Sequence, residues 1–347
     1  MLVASFELNG EGLINHAGNA IDLSQTKALL ETIRPFAVFG PVHLQIKTPP
    51  DSSGKLRIAC EQLFRAFSCL ISFDRWPPVD DLKGWLDAGA AAIVAKHEHE
   101  LPHAYKNEIP IERQLRMQEC SQITETAENA IIKSTKVDSI SQWVDKFCSE
   151  LVSDRADGLW PTIVASESGV ALGLVYSNQQ SMLRAVESGK GVYWSRSRNE
   201  IWEKGLTSGA TSELIRIDSD CDRDCLRFIV RQKPPGFCHL QTRTCFGNWV
   251  DLNSILQWVG DRGQHAGGYT HRLLQDSALL RNKLCEEAGE LVDANSVDEV
   301  IWEAADLLYF TMVAMSRRGV DFEQVAMELK RRMGQIIRRP GNAKSNP

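Results

Sequence analysis

The 347-residue chain has no apolar run long enough to cross a bilayer, so nothing in it reads as a membrane helix. Its start, Met1-Leu2-Val3-Ala4-Ser5-Phe6-Glu7, soon turns acidic and lacks the basic stretch of a secretory leader, so a cytoplasmic location is expected. Positive charge is scarce: 39 Lys and Arg against 45 Asp and Glu leave a net charge of -6. Such a surface complements a phosphate backbone poorly, and neither nucleic acid nor membrane is expected as a partner. There is no internal repeat and no low-complexity tract, and residues 1 to about 150 carry no glycine-rich phosphate loop. Nine cysteines, odd in number and irregular in spacing, do not make a disulfide framework, which leaves thiols free to bind metal in a reducing compartment. The length exceeds what one core usually serves, so two or three domains are expected.

What is present is concentrated chemistry. Asp220-Cys221-Asp222-Arg223-Asp224 is followed by Cys238-His239 and Cys245-Phe246. A hydrolytic zinc takes three protein ligands and keeps one position open for water, and Cys221, Cys238 and Cys245 supply three. Cys225 opens the run Cys225-Leu226-Arg227-Phe228-Ile229-Val230, where alternation turns it toward a core. In extended backbone Asp220, Asp222 and Asp224 project to one side, as oxygen ligands suited to magnesium, and Cys221 to the other. Unpaired cysteines also serve as small hydrophobes, and acidic runs as solvated turns. Upstream, Trp194-Ser195-Arg196-Ser197-Arg198 and Lys204-Gly205-Leu206-Thr207-Ser208-Gly209 carry arginines, hydroxyls and a glycine-containing turn, the groups that clamp phosphate.

From Asp157 through Phe246 these motifs resemble phosphoribosyl-AMP cyclohydrolase: Trp-Ser-Arg-Ser-Arg, Thr-Ser-Gly, Asp-Cys-Asp-x-Asp and Cys-His…Thr-Cys-Phe occur in order. The resemblance implies zinc held by Cys238 and Cys245 with Cys221 contributed across a dimer interface, and magnesium on the aspartates. It implies substrate contacts from Trp194, Ser195, Arg196, Ser197, Arg198, Lys204, Thr207, Ser208 and Gly209. His239-Leu240-Gln241 departs from the His-Thr-Gly of many bacterial members. The implied reaction opens the adenine ring between N1 and C6, where the ribosylated ring is electron-poor and water activated at zinc can add. His239, next to a ligand, is the expected proton shuttle.

A second acidic pattern pairs Glu287 with Glu290 and Glu303 with Asp306, each pair on one helical face. Leu291, Val300, Ile301, Leu307, Leu308, Tyr309 and Val313 supply apolar faces to pack the two helices, and facing helices with inward carboxylates build divalent-metal sites. The stretch from Tyr269 to Arg332 resembles phosphoribosyl-ATP pyrophosphohydrolase, with every acid of its Glu-Glu-x-x-Glu…Glu-x-x-Asp signature present: Glu286, Glu287, Glu290, Glu303 and Asp306. The resemblance implies magnesium on these acids, Glu287 and Glu290 as catalytic groups, and Arg272 and Lys283 as phosphate partners. The product of this reaction is the substrate of the other.

Residues 1 to about 150 say less. Phe36-Ala37-Val38-Phe39, Cys69 to Phe73 and Ala92 to Ala95 read as buried strands with helices between, including Asp80 to Gly89: an α/β unit faintly like half of a β/α-barrel. His97, His99 and His103 read as an exposed loop, Cys60, Cys69, Cys120 and Cys148 as buried hydrophobes, and Cys285 as part of a helix-packing face. A structural or regulatory role is expected for this region.

The expected architecture is multidomain α+β: an N-terminal α/β domain (1–150), a central β-rich domain (151–247), a linker helix and loop (248–268), an all-α domain (269–337) and a tail (338–347). The layout resembles the front of the multifunctional histidine-biosynthesis proteins of fungi, and a histidinol dehydrogenase is not expected in this chain. The rival readings are a house-cleaning nucleotide pyrophosphatase fused to a deaminase-like zinc domain, and a non-catalytic metal-binding scaffold.

Overall fold

The computed structural model describes residues 2–8, 12–14, 20–47, 54–95, 114–118, 131–135, 139–206, 208–233, 236–247 and 251–333. His97, His99, His103, Cys120 and Thr207 lie outside them. Among the described residues no helix is long and apolar enough to cross a membrane. The chain divides into two compact units, the second covering Asn248–Lys330.

The first unit begins with parallel strands β1 (Leu2–Leu8), β4 (Val42–Ile46), β5 (Cys69–Phe73), β6 (Ala92–Ala95), β7 (Gln114–Gln118) and β8 (Ile131–Thr135). They neighbour one another in that order, β1 also pairs β8, and the short β2 (Gly12–Ile14) and β3 (Ala20–Asp22) add an antiparallel extension to β1. The expected β/α repetition is there, and the β1–β8 pairing carries it from half-barrel to closed ring. Helices α1 (Thr26–Ala37), α2 (Lys55–Ala66) and α3 (Val79–Ala88) connect the first strands. Their apolar faces meet Phe6, Leu44, Ile71 and Ile93 in one core, so alternate strand residues point outward to helices. Phe36 and Ala37, expected in a strand, instead close α1, because Leu29, Ile33 and Phe36 recur at helical spacing and are the buried positions.

Helix α4 (Ile140–Cys148) is shared. Trp143 belongs to the barrel core, while Val144 and Cys148 belong to the core of the following sheet. Phe39 stacks on Phe147 at 4.3 Å, and Ile217 N–H donates to the Val38 carbonyl at 2.8 Å. These contacts join the two cores on either side of residue 150.

The second sheet orders β12 (Glu200–Glu203), β11 (Val192–Ser195), β10 (Ala171–Ser177), β9 (Trp160–Ser166), β14 (Leu226–Gln232) and β13 (Ser212–Ser219), with only β9 and β14 parallel. Val164, Leu172, Phe228 and Val230 face a core that takes Met182 and Ala185 from α5 (Gln179–Ser188). Cys225 does not face that core as alternation suggested: Leu226, Phe228 and Val230 take the inward positions, and Cys225 sits half-buried at the strand's entrance. Ile163, Leu174 and Ile201 remain exposed.

The second unit is helical: α6 (Leu252–Gly263), α7 (Tyr269–Gln275), α8 (Ser277–Asp293), α9 (Val297–Ser316) and α10 (Phe322–Met333). The expected linker helix is α6, begun by an Asp251–Ser254 capping box and continuing through Gly263 where loop had been expected. Leu256, Val259, Leu273, Leu280, Phe310 and Val313 form the core. Val300, Ile301 and Leu308, expected between α8 and α9, are exposed instead, together with Val297 and Trp302 at 76% and 70%. The buried side of α9 is Phe310, Met312, Val313 and Met315. Cys285 is likewise exposed, since Leu280 and Glu287 are the buried positions of α8.

Candidate active sites

The acidic loop links β13 to β14, whose last pair is Ser219 with Leu226. Asp220 turns it: its Oδ1 accepts from the N–H groups of Asp224 and Cys225 at 3.1 Å each, and Arg223 takes a left-handed φ of 67°. The expected extended backbone is therefore replaced by a tight loop, because one carboxylate satisfies two backbone donors at once. Clustering survives, with oxygens of Asp220, Asp222 and Asp224 all within 4.8 Å of one another. Asp222 lifts the Asp224 carboxyl above its ordinary range. Burial pushes Asp220 the same way, but the Cys225 and Asp224 donors outweigh it and hold that group low. Cys221 is exposed on this loop.

The other two cysteines come together. After β14 the chain folds back, Cys238 N–H donating to the Thr242 carbonyl at 3.1 Å, and Cys245 N–H to the Leu172 carbonyl at 2.7 Å. Glycine is needed opposite them: a Cβ on Gly173 would lie 2.9 Å from Cys245 Sγ and 2.7 Å from the Phe237 ring. The two thiols affect each other and their acidities are driven apart. The Leu240 N–H and the Thr242 hydroxyl hold Cys238 below the ordinary thiol range, while burial and then Cys238 push Cys245 up. His239 is exposed with Nδ1 3.9 Å from Cys238 Sγ. Among the described residues no cysteine joins a group of three metal-ligating side chains within mutual reach, so Cys221 stands apart from the pair. Two thiols in a glycine-lined cradle fit a soft metal, with its third ligand left to another source.

Trp194 is half-buried in β11, paired with Tyr176 and with Ile201. The turn after it exposes Arg196, Ser197 and Arg198. Arg196 lies 3.8 Å from the Tyr176 ring centroid and Arg155 4.7 Å, so Tyr176 carries two guanidinium groups. Arg198 Nε approaches Ser195 Oγ at 3.3 Å and Glu200 at 3.1 Å. Tyr176 escaped the sequence reading because only strand pairing sets it beside Trp194. Ser208 and Gly209 are exposed past Gly205, whose φ of 81° and contact with the Ala210 carbonyl exclude a side chain. Lys204 differs from the rest of this set in being buried, with 5% exposure.

In the helical unit, ligand oxygens of Glu287, Glu303 and Asp306 lie within 4.8 Å of one another, Glu287 being buried. Burial raises the Glu303 carboxyl, and the negative charge of Glu290 adds to the effect with Glu287 and Asp306. Glu286 is turned to Lys283, whose Nζ is 2.9 Å from Glu286 Oε2 and 2.9 Å from Glu287 Oε1. Arg272 is exposed on α7. Three carboxylates gathered this closely, one of them buried, fit a hard divalent cation.

A cysteine-lined β domain and an acid-lined helical domain thus follow each other in one chain. Residues 173–247 match phosphoribosyl-AMP cyclohydrolase and residues 257–333 match phosphoribosyl-ATP pyrophosphohydrolase, two hydrolase domains in tandem. The histidine biosynthesis bifunctional protein HisIE of Aquifex aeolicus is 34% identical over 196 residues, which are 51% of this chain and 95% of that protein. The chain belongs to this bifunctional histidine-biosynthesis family. The bifunctional protein his7 of Schizosaccharomyces pombe is 47% identical over 55% of this chain and 46% of its own length. The trifunctional protein of Kluyveromyces lactis is 43% identical over 64% of this chain and 28% of its own. The chain thus matches less than half the length of these two fungal relatives.

Proposed function

We propose that the chain carries out two consecutive hydrolyses: phosphoribosyl-ATP to phosphoribosyl-AMP and pyrophosphate in the helical unit, then opening of the adenine ring between N1 and C6 in the β-rich domain. The observation that carries this reading is the pairing of two donor sets of opposite character, thiols at Cys238 and Cys245 and carboxylates at Glu287, Glu303 and Asp306, each inside its matched domain.

In the first reaction Glu287, Glu303 and Asp306 would hold magnesium, which supplies the neutralisation a triphosphate needs before water can approach. Glu290, whose charge acts on Glu303, would take a proton from that water, and Lys283 and Arg272 would bind phosphate. In the second, Cys238, Cys245 and Cys221 of a second copy would hold zinc, which supplies Lewis acidity that makes water nucleophilic near neutral pH. His239 moves the proton, Arg196 braced on Tyr176 binds phosphate with Arg198, Ser195 and Ser197, and Asp220, Asp222 and Asp224 take a second magnesium. A homodimer is part of this reading, supported by the absence of Cys221 from any three-ligand group with Cys238 and Cys245 among the described residues. The bare faces at Ile163, Leu174 and Ile201, and at Val297, Val300, Ile301 and Trp302, supply apolar area for it. A cytoplasmic setting suits thiolate ligands.

The test is to give purified protein phosphoribosyl-ATP with magnesium and follow pyrophosphate and ring-opened product together. Both should form in sequence, and Cys238→Ser should stop at phosphoribosyl-AMP. Folded protein yielding neither would leave a metal-binding scaffold, and equal turnover of ordinary nucleoside triphosphates would favour a general pyrophosphatase.

A further inference from the structure

Lys204 was expected among the residues that meet substrate, at the end of the strand that follows the arginine turn. The structure places it elsewhere. The side chain is 5% exposed and runs inward, its Nζ 5.0 Å from the Phe237 ring centroid and 5.8 Å from that of Trp202. Among the described residues no carboxylate pairs with it, unlike Lys190, which reaches Glu203 Oε1 at 2.6 Å. The Phe237 ring beneath it and Cys245 Sγ crowd the same point, lying 2.7 and 2.9 Å from where a Cβ on Gly173 would be, which sets that sulfur beside the ring; burial draws the ammonium's proton affinity down, and Cys245 and Cys238 raise it again.

An ammonium removed from water without a carboxylate is costly, and it persists only where another negative charge offsets it. Two aromatic faces offset part. The remaining candidates beside Phe237 are the sulfurs of Cys238, next in the chain, and Cys245, neutral as thiols and anionic as metal ligands. The backbone fixes this arrangement. Lys204 N–H donates to the Gly191 carbonyl at 3.0 Å, Gly205 turns the chain at once after it, and Phe237, on which the ammonium rests, directly precedes Cys238.

We propose that Lys204 is a positioning residue for the metal, the buried counter-charge that stabilises Cys238 and Cys245 as a thiolate pair, rather than a phosphate contact. The inference rests on the zinc reading above. It assigns the lysine to metal affinity, so its loss should be seen in zinc binding before any substrate is added.

The experiment is a chelator-competition titration of zinc on the full chain at one neutral pH, for the wild type, Lys204→Met, Lys204→Gln and Lys204→Arg, with circular dichroism as the folding check. Partners just outside a metal's ligands are worth roughly 10- to 100-fold in affinity, and the two neutral variants should lose about that much. Lys204→Arg, which keeps the charge, should stay within about threefold of the wild type, a difference below 1 kcal/mol. Neutral variants that bind zinc as the wild type does but show a raised KM for phosphoribosyl-AMP would return Lys204 to the substrate and overturn the proposal. If neither neutral variant folds, Lys204→Arg decides, since a tenfold loss with charge retained contradicts a counter-charge role. Wild-type protein that takes up no zinc would sink the zinc reading itself, a result distinct from unchanged affinity in the variants.

Discussion

Lys283 and Glu287 stand one helical turn apart on α8, Nζ to Oε1 at 2.9 Å, with the lysine one-quarter exposed and the carboxylate almost closed off from water. The ammonium therefore occupies a group that the proposed magnesium would also need. Removing it should have two opposite effects. Lys283→Ala should bind magnesium more tightly, by roughly threefold if the competing pair is worth the usual fraction of a kcal/mol, and, on the proposal that Lys283 binds phosphate, should raise KM for the triphosphate. Magnesium titration without substrate, set beside steady-state kinetics, checks both. A fall in magnesium affinity would mean the lysine organises the carboxylates instead of competing for one.

The separation of Cys221 from Cys238 and Cys245 makes a prediction about mixtures. If ligands come from two copies, Cys221→Ser and Cys238→Ser are each inactive in ring opening, yet a mixed dimer contains one intact site. Co-refolded in equal amounts, the two variants should recover about a quarter of wild-type activity, as random pairing makes half the dimers mixed with one of two sites whole. No recovery, in a population shown to be mixed, would place all three ligands in one chain.

Helix α4 predicts where the chain can be cut. Starting at residue 151 removes Val144, which is fully buried, and Cys148 from the core of the β9–β14 sheet, whereas starting at residue 139 keeps them. At about 1.5–3 kcal/mol per buried apolar side chain, the shorter product should be less stable by ~2 kcal/mol or more in urea unfolding. Equal midpoints would show that α4 contributes nothing to that core.

Helix α9 begins with a capping box in which Ser296 Oγ accepts from Glu299 N–H, and Glu299 Oε2 accepts from Asn295 and Ser296 N–H at 2.8 and 3.0 Å. Those two backbone donors, Asn295 first, hold the Glu299 carboxyl below its ordinary 4.5. A carboxyl depressed in the fold stabilises above its unfolded pKa and loses that contribution as pH falls through its folded value. Hydrogen-exchange protection over residues 295–300, taken relative to the intrinsic exchange rate at each pH, should therefore fall as the pH drops below about 4.5, and Glu299→Gln should flatten that dependence. Ser296→Ala should cost about 1 kcal/mol at any pH.

Much of this was legible in order along the chain. Asp220 to Asp224, Cys238, Cys245 and the acids of α8 and α9 are local patterns, and their spacing already implied thiol and carboxylate chemistry in separate places. Strands at Cys69 to Phe73 and Ala92 to Ala95 were legible because short apolar runs flanked by helices leave few alternatives. Phe36 and Ala37 were misread as strand because a short apolar run at a helix end looks the same until the spacing of Leu29, Ile33 and Phe36 is given a core to face.

What the sequence determined by itself is which chemical groups exist and which lie within a few residues of each other, since covalent order and local backbone preference act over that range. Tertiary structure decided the rest: that Asp220 folds its loop by accepting two N–H groups, that Cys221 stands off from Cys238, that Tyr176 carries Arg196, and that Lys204 turns inward to the cysteines while Arg196 and Arg198 stay in water. Burial is the physical reason, because whether a charge is solvated or must find a counter-charge depends on what other segments cover it.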